Sequence, residues 1–274
     1  MIRTKLPFLV LSVLVLLPSA CGRQAEAPAP SIEAPPVAEA AVPEMPAPVS
    51  MEDVIEHDPR YVVGISYPPS AAAYPGLASA LHAYAAAARA ELMQAVEGLD
   101  GPPRAPYELS LGFRGLMETP DVVAVAAEGS LYTGGAHGQP LVARFVWLPR
   151  HEQMLTSDRL LASPAGWRTI ADHAAEQLGT AAHTRAADES LEPGDRQRLL
   201  GAALKTIAQG TEPRPENFAQ FEPVPAQDGR IAALRFVFAP YQVGPYADGV
   251  QYAEVPAAVL LPYLAPDYRE LFAQ

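Results

Sequence analysis

The chain has a single cysteine, Cys21, so no disulfide within it can hold a fold together. Burial of apolar surface has to supply the stability instead. At 274 residues the chain is long enough for that, as one large domain or two small ones. The missing cysteine pair therefore says nothing against an oxidising compartment, where disulfides serve mainly domains too small to bury a core.

The surroundings of Cys21 are informative. Arg3 and Lys5 form a short positive start, and Leu6 to Leu17 is apolar apart from Pro7 and Ser12. The run is shorter than the roughly 20 apolar residues that span a bilayer and matches the roughly 7–15 of a secretory signal. Residues 1–20 are thus expected to be a signal peptide. Leu17-Pro18-Ser19-Ala20-Cys21 then resembles a bacterial lipobox, with Pro18 standing where Leu is usual. Such a box has its thiol acylated and its leader removed. The alternative is a free cysteine behind an ordinary signal. Each buried lipid CH₂ contributes about 0.8 kcal/mol, and two chains already give a stable anchor. Gly22, in place of Asp, resembles lipoproteins sorted to an outer membrane.

Residues 22–50 contain seven Pro, eight Ala and four Glu, with almost nothing that packs. Residues 21–50 read as the lipidated cysteine and a semi-extended tether of order 90 Å at about 3.1 Å per residue. The whole chain carries a net charge of −12, and loss of the leader removes Arg3 and Lys5, making the mature chain two units more negative. That charge disfavours nucleic acid and steers basic partners.

Globular composition begins at Met51. Arg60–Tyr67 reads as a strand, and Pro75–Val96 as a helix with Leu77, Leu81, Tyr84, Ala88 and Leu92 on one face. Tyr107–Phe113 alternates strictly and predicts a half-buried strand. Asp121–Tyr132 and Leu141–Trp147 complete an antiparallel meander. In the second half, Ser163 before Pro164 predicts a helix start, with Trp167, Ile170, Ala171, Ala174 and Leu178 as its stripe. Another helix is expected over Gly194–Gln209, stopped by Gly210, followed by a Pro-containing loop and strands at Ile231–Phe238 and Val250–Val255. Strands and helices come in runs without strict alternation, which predicts an α+β fold with antiparallel sheets packed against helices.

Two strings stand out. The first runs from Tyr132 through Thr133-Gly134-Gly135-Ala136-His137 to Gly138. Its glycines suit a hairpin turn needing positive φ, or a loop that lets a ligand approach with His137 as base or ligand. No Walker lysine or G-x-G-x-x-G accompanies it, and no second residue stands at metal spacing, so no metal or cofactor is expected. The second string runs from Phe238 to Gly249, where Tyr241 and Tyr246 are either a binding rim or the wall of a turn, and Gly249 ends it. His151, His173 and His183 form no H-x-x-x-H and read as surface or capping residues. No G-x-S-x-G elbow occurs. Catalysis has no positive signal, although a hydrolase built around His137 is the competing reading.

Taken with Val255-Pro256 and Leu261-Pro262-Tyr263-Leu264, the two strings resemble the extracytoplasmic proteins typified by RsiV and by the non-catalytic region of PdaC: a PdaC-type domain (DUF4163) followed by an RsiV C-terminal-type domain (DUF3298). On this resemblance residues 51–150 form the first and 151–274 the second. It implies an envelope role, without catalysis, in binding a macromolecule: a basic protein such as a lysozyme, or a cell-wall glycan such as peptidoglycan. Tyr132, His137, Tyr241 and Tyr246 are the candidate binding residues, and Gly134, Gly135, Gly138 and Gly249 the structural turn residues. On this reading the chain is expected to differ from RsiV in carrying a lipid anchor where RsiV has a transmembrane helix, and from PdaC in having no deacetylase domain appended.

Overall fold

The computed structural model describes residues 50–187, 190 and 192–274; the leader, Cys21 and the tether up to residue 49 lie outside them. Strands β1 (Val54–Asp58) and β2 (Tyr61–Ser66) form a hairpin, and helix α1 (Pro75–Glu97) then crosses to β3 (Tyr107–Glu118), which pairs parallel to β2. A parallel pair needs a long crossover, and α1 supplies it. Strands β4 (Val123–Tyr132), β5 (Gln139–Leu148) and the short β6 (Gln153–Met154) continue antiparallel, giving the order β1-β2-β3-β4-β5-β6. Helix α1 buries Leu77, Leu81, Ala85, Ala88, Leu92 and Val96 against Leu109, Leu111, Val125 and Ala127. Tyr84, expected in this stripe, sits at its margin, edge-on to Phe113 and Phe145 at 6.3 and 5.8 Å, while Ala85 takes the buried place.

Strand β3 runs five residues past the expected Phe113 and carries a bulge in that extension. Gly115 faces Val125 and Met117 faces Ala124, so Leu116 is the extra residue. A one-residue slip reverses the sheet face of everything after it. Phe113 accordingly packs under α1, whereas Met117 joins the second core on the opposite face.

That second core belongs largely to the rest of the chain. After α2 (Ser157–Leu160) come α3 (Gly166–Ala186), α4 (Pro193–Gly210), β7 (Phe221–Pro225), β8 (Ile231–Phe238), β9 (Gln251–Pro256) and α5 (Ala257–Leu260), with the antiparallel sheet order β7-β8-β9. Phe218 is its hub, stacked on Trp167 at 5.5 Å and edge-on to Phe236 at 5.1 Å. Val122, just before β4, and Ala124, Val146 and Leu148 of the first sheet complete it. The Gln177 side chain of α3 both donates to the Glu254 carbonyl and accepts from its N–H, at 2.7 and 3.0 Å. It satisfies backbone groups on the free edge of β9. The result is the expected α+β fold, with antiparallel-rich sheets packed against helices.

Local expectations fail where tertiary contacts intervene. Ser163 does not cap α3: a turn over Ser163–Gly166 comes first, and Ala165 precedes the helix without a side-chain cap. The cause is pairing of Leu161 and Ala162 with Leu264 and Tyr263, and the close seat of Gly166, whose Cβ would lie 2.7 Å from Tyr263. Strand β7 carries Pro223 and Pro225, which read as loop in the sequence. They are tolerated because, among the described residues, β7 pairs only with β8, so a missing N–H can face the unpaired side.

Between β4 and β5, Gly134 and Gly135 adopt φ of +102° and +95°. A Cβ on Gly135 would meet nothing within 4 Å and one on Gly134 only Tyr107, at 3.7 Å, so conformation, not space, is the constraint. Gly134→Ala and Gly135→Ala should each cost about 1 kcal/mol and lower the melting temperature, while His137→Ala changes it little. Thermal melts of the three variants check this. Unaltered melting of both glycine variants would remove the turn explanation.

Candidate functional site

The two distinctive strings, 104 residues apart at His137 and Tyr241, meet in space. The Tyr241 hydroxyl lies 3.1 Å from His137 Nε2, and the His137 ring stacks on Tyr246 with centroids 4.1 Å apart and 17° between planes. His137 Nδ1 is 3.3 Å from the Gly138 carbonyl oxygen. A carbonyl only accepts, so Nδ1 carries the proton in the neutral ring, and Tyr241 donates its hydroxyl hydrogen to Nε2. Tyr132, the fourth candidate, does not join the cluster: its hydroxyl donates to the Gly135 carbonyl at 3.3 Å and closes the turn that presents His137. Gly138 lies close to Ser130 and Leu131, with its Cβ position 3.3 Å from the Ser130 side chain.

The partner loop is held in shape by its own backbone. Tyr241 has φ of +74°, one of two non-glycine residues in this region among the described residues, and its N–H donates to Gly244 O at 3.0 Å. Such a conformation costs of order 1 kcal/mol or more and persists only where surroundings impose it. Gln242 imposes it, donating from Nε2 to the carbonyls of Gly210 and Asn217 at 3.3 and 2.8 Å. A 3₁₀ turn over Tyr246–Asp248 follows and ends at Gly249, whose φ is +66°. Tyr241 stays 58% exposed, so the strain presents a ring to solvent instead of burying one.

Tyr241 also borders a groove of about 520 Å³ between this loop and the facing sides of α3 and α4. Ala182, Ala186, Leu199, Leu200 and Ala203 give it an apolar lining, and Arg185 and Asp248 stand at its polar end. His137 lies outside it. The groove was not apparent in the sequence, although Leu199, Leu200 and Leu204 give α4 more apolar residues than one stripe requires, and Leu199 is left 55% exposed.

For the hydrolase reading, the arrangement gives His137, on an exposed turn, one hydrogen-bonded side chain among the described residues, the Tyr241 hydroxyl, with the Tyr246 ring stacked on it. No carboxylate hydrogen-bonds to His137 among the described residues, and none of their groups of three or more His, Cys, Asp or Glu is placed to hold a metal. His183 Nδ1 is 2.9 Å from Gly179 O within α3, and His151 ends an exposed 3₁₀ turn.

A second polar assembly lies where the two sheets meet. Arg144 of β5 pairs with Glu128 of β4 at 2.6 Å and with Glu222 of β7 at 2.7 Å; Arg235 of β8 joins Glu222 to Glu254 of β9, each at 3.1 Å. Tyr252 stands beside it. Burial pushes its hydroxyl pKa up, with Glu128 and Glu222 adding to the shift and Arg144 and Arg235 opposing it.

No protein-family model and no curated protein matches the sequence. Solved structures do resemble the fold. A DUF3298-family member from Bacteroides fragilis aligns at 14% identity over 79% of this chain and 93% of its own, with a TM-score of 0.48. The crystal structure of a DUF3298-family protein from Pseudomonas aeruginosa PAO1 aligns at 15% identity over 83% of this chain and 98% of its own, with a TM-score of 0.53. At that identity the likeness is one of architecture, and the architecture is that of the DUF3298-family protein.

Proposed function

We propose that the chain is a lipid-anchored bacterial cell-envelope protein, on the periplasmic face of an outer membrane, that binds a basic macromolecular partner of the lysozyme kind and performs no chemistry on it. The observation that carries this reading is the exposed His137–Tyr241–Tyr246 cluster, built from two distant strings and set beside an apolar groove. Tyrosines held rigid at a surface offer contact area and a polar tip at low entropic cost, as binding hot spots do. The DUF3298-type fold and the finer resemblance of the strings to RsiV-type and PdaC-type domains support the envelope role. The apolar run before Cys21 supports the anchor, and among the described residues no helix is long and apolar enough to cross a membrane. The net charge of −12 favours a basic protein over an acidic one.

The test is binding of the full-length lipidated chain, held in nanodiscs, to lysozyme and separately to purified peptidoglycan. Lysozyme should bind, and Tyr241→Ala should weaken it at least tenfold, the usual scale for a hot-spot aromatic. Equal retention of lysozyme by an unrelated protein of similar negative charge overturns the reading. Binding of peptidoglycan alone moves the partner class to cell-wall glycan.

A further inference from the structure

The groove beside Tyr241 specifies what a partner must bring. Its floor is made low by Ala182 and Ala186 on α3 and Ala203 on α4, and Leu199 and Tyr241 flank it at 55% and 58% exposure. Large apolar groups left facing water around a concavity mark a surface that another molecule covers. The volume of about 520 Å³ lies within the roughly 300–1,000 Å³ of ligand-sized pockets.

The mouth is polar in one particular way. Asp248 Oδ2 is 3.4 Å from Arg185 Nη2, a long contact, and its other carboxylate oxygen has no partner among the described residues. Arg185 spends the same nitrogen on Gln251 Oε1, also at 3.4 Å. Gly244 makes room for this carboxylate, since a Cβ there would lie 3.0 Å from Asp248 Oδ2. The lining of one groove thus combines an apolar slot, an aromatic face and a carboxylate held loosely by Arg185, on a chain whose net charge is −12.

We propose that the groove receives an apolar side chain of the partner while Asp248 and the Tyr241 ring receive a neighbouring cation, so that the element recognised is an adjacent apolar–basic pair on a basic protein. This rests on the reading of the site as a surface for such a protein. Charge complementarity selects that occupant. An anionic amphiphile would find Arg185 at the mouth as well as Asp248, but would have to enter against the negative field of the whole chain. A glycan would lay hydroxyls along alanine and leucine, which offer them no hydrogen bonds. A cation over a tyrosine face and beside a carboxylate is attracted by both.

The experiment uses the full chain in nanodiscs of neutral lipid, with empty nanodiscs subtracted, and blocked tetrapeptides as probes read by saturation-transfer NMR. Acetyl-Leu-Lys-Leu-Lys-amide should bind at least tenfold more tightly than its Ser-Lys or Leu-Glu counterparts. Ala203→Trp, which fills the groove at constant charge, and Leu199→Ser, an exposed position, should each cost about tenfold with the Leu-Lys peptide. Asp248→Asn should cost a few-fold and flatten the salt dependence. Equal binding of the Leu-Lys and Ser-Lys peptides, or wild-type binding by both Ala203→Trp and Leu199→Ser, overturns the proposal. Lysozyme captured equally by the wild type and these two variants also overturns it, and leaves the proposed function standing. Leu-Lys peptide bound in this pattern while lysozyme is not upholds it and removes lysozyme as the partner.

Discussion

Arg144→Ala is expected to lower the unfolding free energy by about 3–5 kcal/mol, the scale for removing one partner of a buried ion pair. The Arg144 side chain is 1% exposed and that of Glu222 is 9% exposed, so neither can exchange its partner for water. Arg144 Nη1 also donates to the Ala143 carbonyl at 3.1 Å, and its own N–H donates to Gln220 at 2.6 Å. Without the guanidinium, Glu222 keeps Arg235 as its one cationic partner among the described residues, and the junction between β4–β5 and β7–β9 loses its central cation. For a globular part of this size the loss corresponds to a fall in melting temperature of roughly 6–20 °C. The double variant Arg144→Met with Glu222→Leu should recover most of it, because an apolar pair of similar volume leaves no buried charge behind, and Glu128 and Arg235 are exposed enough to hydrate. Denaturant titration decides between the outcomes. A single variant within about 1 kcal/mol of wild type would mean that the network contributes geometry without energy.

Gly210→Ala should act on the site from its far side. A Cβ at Gly210 would lie in hard contact with the Gln242 carbonyl and 2.8 Å from Val243 Cγ1. Both are anchored, Val243 by burial and Gln242 through its side-chain bonds to the carbonyls of Gly210 and Asn217. Overpacking of this kind costs about 1–3 kcal/mol, and contact with backbone places the variant at the upper end. The larger effect falls on binding. Relief of the clash moves Gln242, the residue after Tyr241, and so displaces the ring from His137 and from the groove. Lysozyme binding should drop at least tenfold at temperatures where the variant remains folded by circular dichroism. Retained binding would show that Tyr241 is positioned by His137 and not by the Gln242 bonds.

The glycine itself shows how local and tertiary signals diverge. Gly210 reads as a helix stop, and α4 does end there, yet the following Thr211 has a negative φ and caps through its hydroxyl to the Ile207 carbonyl at 2.8 Å. The position demands glycine because another segment passes against it. Nothing within ten residues of Gly210 announces that approach, since Gln242 is 32 residues away. Ser163 is the converse case. Its capping signal is correct for an isolated helix and is overridden by pairing with residues near 263, roughly a hundred positions on.

What the amino-acid order determined by itself is whatever depends on a short repeat. The alternation of Tyr107–Phe113, the helical stripe of α1, the meander of β3 to β5 and the glycine turn that joins its last two strands follow from periods of two and 3.6 and from the φ that a Cβ disfavours. The α+β class follows from the order of those elements. Tertiary structure alone decided that the bulge at Leu116 would send Met117 into the second core, and that a strand with two prolines would be acceptable at a sheet edge. It also set Arg144 between two carboxylates from different sheets and joined His137 to Tyr241 across 104 residues. The physical reason is the same for each: periodicity reports which side of an element is buried, whereas a site is a meeting of elements, and a meeting depends on how the two sheets pack.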